Sequence, residues 1–176
     1  MRVITGIARG RVLKTLEGES VRPTSERVKE AVFSILQFEI EGRRVLDLFA
    51  GSGQLGIETL SRGAASAVFI ESDKAAVAVV KANLESTGLA EKATVVQTDA
   101  FAFLQTSGLT FDIIFLDPPF AAGLVQRALP LAAAITAPGG IILCEAPFAE
   151  KLPEEAGALK QNRVYKYGKT AITTYR

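Results

Sequence analysis

The sequence predicts an α/β fold built on a doubly wound, mostly parallel sheet of seven strands, preceded by a small hairpin-plus-helix extension. Three observations predict it. From Arg44 onward, short apolar runs alternate with segments of helical periodicity, the pattern of strand–helix–strand units. A glycine-rich turn, Gly51-Ser52-Gly53-Gln54-Leu55-Gly56, joins the first of these runs to the first helix. The chain has 176 residues, 48% of them hydrophobic, which is the size of one domain with a sizeable core. Residues 1–176 therefore read as a single domain, with 1–43 as a basic N-terminal extension packed on it.

The elements follow in order. Arg2 to Thr5 and Arg11 to Leu16 are short, basic, alternating segments around Gly6 and Gly10, a hairpin pattern. Thr24 follows Pro23 as a helix N-cap, and Val28, Ala31, Val32, Ile35 and Leu36 place one apolar stripe on the helix behind it. Val45 to Phe49 is the first strand. After the glycine-rich turn a helix runs to about Arg62 and stops at Gly63. Ala67 to Ile70 is the second strand, Lys74 to Ser86 a helix stopped by Gly88, and Ala93 to Gln97 the third strand. Ala100 to Gln105 is a short helix. Phe111 to Leu116 is apolar except for Asp112, as expected of a strand covered on both faces. Leu124 to Ile135 is helical, and Gly140 to Glu145 is the fifth strand, set off by Pro138-Gly139-Gly140. Residues 146–160 follow no clear pattern. Val164 to Tyr167 and Ala171 to Tyr175 form a closing hairpin around Gly168-Lys169, which brings the count to seven.

Composition narrows the chemistry. The chain has no His, so Ser–His and Cys–His nucleophile pairs and His-bearing zinc sites are excluded. Its single Cys cannot form an internal disulfide; Cys144 reads as a small core residue, and a cytoplasmic address fits. The N-terminus lacks the apolar run of a signal peptide, and no stretch reads as a membrane span. The net charge of +1 is unevenly spread. Residues 1–30 carry seven Lys/Arg against four Asp/Glu, residues 45–159 six against thirteen, and residues 160–176 five against none. Basic ends around an acidic middle fit termini that grip phosphates and a centre that holds a cation; the plainer reading is that the tails are solvated.

The turn satisfies G-x-G-x-x-G directly between a strand and a helix, where glycines let a backbone approach a ligand closely. Phe49, Ala50, Gly51, Ser52, Gly53 and Leu55 are the candidate cofactor cradle. Glu71, beside Ser72 at the end of the second strand, stands where a carboxylate takes ribose hydroxyls. Asp99, just after the third strand, is placed for an adenine amino group with Ala100 beside the ring; it is equally a helix N-cap. These features fit a dinucleotide as well as S-adenosyl-L-methionine. Asp47 favours the second. It lies inside the first strand, where an unpaired carboxylate is costly, and it suits an ammonium or sulfonium while repelling a pyrophosphate.

Asp117-Pro118-Pro119-Phe120 ends the fourth strand, where ligands of open α/β sheets sit. Two prolines make a stiff turn whose carbonyls serve as acceptors. The Asp117 carboxylate and the Pro118 carbonyl can each take one N–H of a planar amine, and Phe120 can stack against the ring that carries it. The alternative is an ordinary turn before a core Phe. A base inside a paired helix cannot enter such a site, so the target must be unpaired or flipped out.

With these residues in view, the chain resembles the 16S ribosomal RNA guanine-N2 methyltransferase family. The resemblance runs over nearly the whole length, through Arg9-Gly10-Arg11, the segment Val21-Arg22-Pro23-Thr24-Ser25-Glu26-Arg27-Val28, Leu46 to Gly53, Leu60-Ser61-Arg62-Gly63-Ala64, Asp117 to Phe120 and Tyr167-Gly168. It implies a Rossmann-like class I methyltransferase that uses S-adenosyl-L-methionine, with Arg22, Pro23 and Thr24 covering the cofactor and orienting the target strand. Arg9, Arg11, Lys14, Arg22 and Arg27 are the implied RNA contacts. The implied partner is ribosomal RNA or the small ribosomal subunit at an assembly stage, with no metal, no membrane and a monomeric chain. Gln54 stands where the family has a small residue, and Phe120 where Tyr is common. Competing readings are an amino-methyltransferase for adenine N6 or cytosine N4 of DNA or for a protein glutamine, an NAD(P)-dependent oxidoreductase, and an RNA-binding scaffold with a vestigial pocket.

Overall fold

The computed structural model describes residues 1–16, 26–119 and 123–176. Its sheet has the order β3-β2-β1-β4-β5-β8-β7-β6. The parallel part comprises β1 (Arg44–Asp47), β2 (Ser66–Glu71), β3 (Ala93–Gln97), β4 (Phe111–Leu116) and β5 (Thr136–Pro147). The antiparallel part comprises β8 (Thr170–Tyr175) beside β5, then β7 (Leu159–Tyr167) and the short β6 (Glu155–Ala156). The chain leaves β1 toward β2 and β3, then returns to lay β4 on the other side of β1. That reversal opens a crevice beyond the carboxyl ends of β1 and β4.

Residues alternate between two layers, because successive strand side chains point to opposite faces. Val45, Ile113, Phe115, Ile141 and Leu143 join one core with α1 (Glu26–Ile35), α2 (Gln54–Ser61) and α3 (Lys74–Thr87). Leu46, Ile114, Leu116, Ile142 and Cys144 join the other with α4 (Ala100–Thr106) and α5 (Leu124–Ala134). Burial on both faces explains why β4 reads as an unbroken apolar run.

The sheet has eight strands among the described residues, one more than the seven expected, because β6 forms inside residues 146–160. A two-residue strand leaves no periodicity for a sequence to display. β5 also begins earlier than expected. Its pairing with β4 jumps from Phe111↔Thr136 to Ile113↔Ile141, so an irregularity absorbs Pro138-Gly139-Gly140 without ending the strand. The expected N-terminal hairpin reduces to one antiparallel bridge, Arg2↔Val12, with Val3 N donating to Arg11 O at 2.9 Å. In α1 the buried face includes Lys29 and Phe33 besides Val28 and Val32, while Ala31 and Ile35 are only half-buried. The expected N-cap Thr24 lies outside the described residues.

The extension is fastened to α2 by polar groups. Glu58 accepts from Ile4 N at 2.8 Å and Thr5 N at 2.9 Å, and pairs with buried Lys29 at 3.1 Å and with Arg62 at 2.9 Å. Ser61 Oγ donates to Thr5 O at 2.6 Å and accepts from Ala8 N at 3.0 Å. Gly56 lets α2 sit against β2: a Cβ there would collide with the Phe69 ring.

Candidate active site

The glycine-rich turn lies over the carboxyl end of β1. Gly53 takes φ +77°, a left-handed conformation that favours glycine, and starts α2. Gly51, at φ +53°, faces open space: a Cβ there would meet nothing within 4 Å. Ala50 N donates to Ile70 O at 3.0 Å and Leu48 N to Phe115 O at 3.2 Å, so the turn hangs on both neighbouring strands.

Three carboxylates converge on it. Asp47 is 2% exposed, and its Oδ2 accepts from Gly56 N at 3.0 Å. The sequence leaves this acid without a partner in its strand; the fold supplies one amide from the first turn of α2. Burial pushes its carboxyl up to about 7, the Gly56 amide opposes the shift, and the nearby negative charges of Asp117 and Glu71 add to it. Glu71 Oε2 accepts from Gly51 N at 2.9 Å and Oε1 from Asp73 N at 2.9 Å. This carboxylate braces the turn; Ser72 Oγ also donates to Oε1, at 3.5 Å, so Oε2 is the oxygen that retains a second acceptor site for a ligand hydroxyl. Asp117 follows β4 directly and is half-buried, Pro118 is buried and Pro119 exposed. Phe120 lies outside the described residues.

Asp99 caps α4 by accepting from Ala102 N at 2.9 Å, with Ala100 buried behind it. The capping role weighed from sequence is thus realised, while an adenine contact stays open to the exposed Asp99 side. Phe49, Ala50 and Ser52 lie on the segment that leaves β1, Leu55 in the first turn of α2 and Ser72 just after β2; Ala50 and Leu55 are buried in the core, Phe49 and Ser52 half-buried and Ser72 exposed. The expected cover, Arg22, Pro23 and Thr24, lies outside the described residues.

Of the expected nucleic-acid contacts, Arg9, Arg11, Lys14 and Arg27 are exposed. Lys14 is connected to the turn by a residue the sequence did not single out. Asn83, fully buried on α3, accepts from Lys14 N at 2.8 Å and donates through Nδ2 to Lys14 O at 3.0 Å and Ser52 O at 2.9 Å. Nothing in a helical polar residue reveals such a role until three segments are brought together. Among the described residues, no cluster could hold a metal ion, and no helix is long and apolar enough to cross a membrane.

The residues fit a cationic adenosyl cofactor. Three acids around one crevice would attract an ammonium and a sulfonium and repel a pyrophosphate, while the open glycine cradle and the N-terminus of α2 suit the cofactor's carboxylate.

Comparison with known proteins agrees with the fold and with a methyltransferase. The family model described as conserved hypothetical protein 95 matches residues 1–176. A Bacillus subtilis protein provisionally named rRNA methyltransferase YlbH is 39% identical over 181 residues, covering 100% of this chain and 98% of that one. The ribosomal RNA small subunit methyltransferase D of Haemophilus influenzae is 42% identical over 134 residues, 74% of this chain and 69% of that one. A solved Escherichia coli structure, provisionally named methyltransferase yhhF, superposes with a TM-score of 0.89 at 37% identity, covering 99% and 96% of the two chains. The chain belongs to the conserved hypothetical protein 95 family and is an RsmD-like methyltransferase.

Proposed function

We propose that the protein transfers a methyl group from S-adenosyl-L-methionine to the exocyclic N2 of a guanine in small-subunit 16S ribosomal RNA. The observation that carries this reading is the convergence of Asp47, Glu71 and Asp117 on the open glycine turn, with the stiff Pro118-Pro119 corner beside it. The names of the relatives support the RNA class.

The bound cofactor supplies an electrophilic methyl group on a sulfonium. Asp47 and the amides of the glycine turn hold the cofactor, and Glu71 takes its ribose hydroxyls. The Asp117 carboxylate and the Pro118 carbonyl accept the two N–H bonds of the guanine amine, which aims the nitrogen lone pair into the crevice. As positive charge develops on that nitrogen, Asp117 offsets it and draws off the proton. Phe120 stacks on the flipped-out base. Arg9, Arg11, Lys14 and Arg27, with Arg22, contact phosphates. Residues 1–43 are an extension of one methyltransferase domain that works as a monomer without a metal.

Incubation with labelled S-adenosylmethionine and hypomethylated small subunits tests the reading. Label in the rRNA supports it, and an unlabelled rRNA overturns it.

A further inference from the structure

Phe148 leaves the carboxyl end of β5 with 46% of its surface exposed. Its backbone N–H donates to Lys169 O at 2.8 Å, tying the exit of β5 to the β7–β8 turn. Lys166 Nζ lies 4.0 Å from the centre of the Phe148 ring, and Arg163 lies 5.4 Å from the centre of the Tyr165 ring on the same hairpin. The segment 160–176 that bears these cations has five of them and no acid. An aromatic ring at a strand exit, half in water with an ammonium over its face, is not packed as core.

Its place in the sheet matters. Pro147 pairs with Thr170, which also pairs with Tyr167, so the β7–β8 turn rises at the same end of the sheet as Asp117. β5 adjoins β4 with Leu116 opposite Cys144, which sets Phe148 one strand across from the Asp117 turn and three residues beyond its level. Strand spacing and rise put the two about 11 Å apart. A neighbouring nucleotide of a single strand spans such a gap.

We propose that Phe148, Lys166 and Lys169 form a binding platform for the RNA nucleotide next to the target base. The flanking base stacks on the Phe148 face that Lys166 leaves open, and the two ammonium groups meet its phosphate. Stacking on an aromatic ring among cations is how single strands are held without sequence reading. Protein interfaces, by contrast, are depleted in Lys. The inference rests on the reading that the substrate is RNA, and it extends the RNA contacts from the N-terminal extension to the opposite edge of the sheet.

The test uses the full chain and hypomethylated small subunits. Phe148→Leu keeps an apolar side chain and removes the ring. It should raise KM for the subunit about 5- to 100-fold, leaving S-adenosylhomocysteine affinity and the thermal midpoint unchanged, and Phe148→Trp should restore KM. Lys166→Gln with Lys169→Gln should flatten the dependence of log affinity on log salt by about 1.4, as for two lost single-strand phosphate contacts. A photo-crosslinking residue at position 148 should capture rRNA. Unchanged KM and salt slope in an otherwise active enzyme overturn the platform while leaving the methylation reading intact. Capture of a ribosomal protein in place of rRNA overturns it equally. Absence of methyl transfer to RNA by the wild-type protein overturns the parent reading, and the platform with it.

Discussion

On the face covered by α1, α2 and α3, the apolar core is interrupted by the buried Lys29–Glu58 pair, by Ser61 and by Asn83. On the face covered by α4 and α5, the core is an almost continuous layer of Leu46, Leu48, Ile114, Leu116, Leu129, Ile142 and Cys144. Burial pushes the Cys144 thiol up, so it stays protonated and acts as a small apolar residue. Both faces cover the same strands, so sheet packing does not require the polar groups of the first. What distinguishes that face is that it also receives the N-terminal extension. Every polar group named there touches residues 1–14 or a partner of them. Buried polar contacts are directional, and here they fix the seat of a segment that Val3, Ala8 and Leu13 also anchor in the core.

The contrast is broken most strongly at Glu58. Glu58→Ala leaves the Lys29 ammonium buried with only the Arg2 carbonyl and no counter-charge, and frees the Ile4 and Thr5 amides, so it should cost about 3–5 kcal/mol in chemical denaturation. Hydrogen exchange should speed up across residues 1–14 in the same variant. A cavity on the other face has a different signature. Leu129→Ala should cost about 2–5 kcal/mol with exchange in the extension and cofactor affinity unchanged, because a uniform apolar layer carries no message to the site. Asn83→Ala should fall below both, at about 1–3 kcal/mol for its unmet buried partners. It should also weaken S-adenosylhomocysteine binding, since Ser52 O loses its donor.

Asp47, below α2 on the polar face, has its carboxyl raised to about 7 in the folded chain, so it favours the protonated form there. Its contribution to stability is therefore full below the ordinary carboxylate value of 3.8 and is lost progressively as pH rises from there through about 7. The thermal midpoint without cofactor should decline from about pH 5 to about pH 7 and flatten above it, and Asp47→Asn should remove that decline. Cofactor uptake should release protons near pH 7, readable as a dependence of calorimetric heat on buffer ionisation enthalpy.

The same contrast explains how much could be read in advance. The apolar face was legible, since helical and two-residue periodicities identify Leu, Ile and Val positions directly. So was the glycine turn beside Asp117, because Gly51 to Gly56 and Asp117 to Pro119 are each contiguous in the chain and carry their chemistry in their residue types. The polar face was not legible. Lys29 meets Glu58 across 29 residues, and a lysine on a helix is ordinarily assigned to solvent, so the apolar stripe of α1 was placed with Ala31 and Ile35 where the fold buries Lys29 and Phe33. Asn83 is undistinguished until Lys14 and Ser52 arrive beside it. Pro138-Gly139-Gly140 marked a strand boundary that an irregular pairing overrides.

Nucleoside mass spectrometry reads out the chemistry of the crevice at Asp117. Hypomethylated small subunits are incubated with methyl-labelled S-adenosylmethionine and either the wild-type or the Asp117→Ala protein. The expected result is labelled N2-methylguanosine with the wild type. The Asp117→Ala rate should be lower by about 100- to 1000-fold, the scale of losing one oriented charge-stabilising group, with S-adenosylhomocysteine binding retained. Label on a different atom, label absent from the rRNA, or an Asp117→Ala rate equal to wild type would contradict that chemistry.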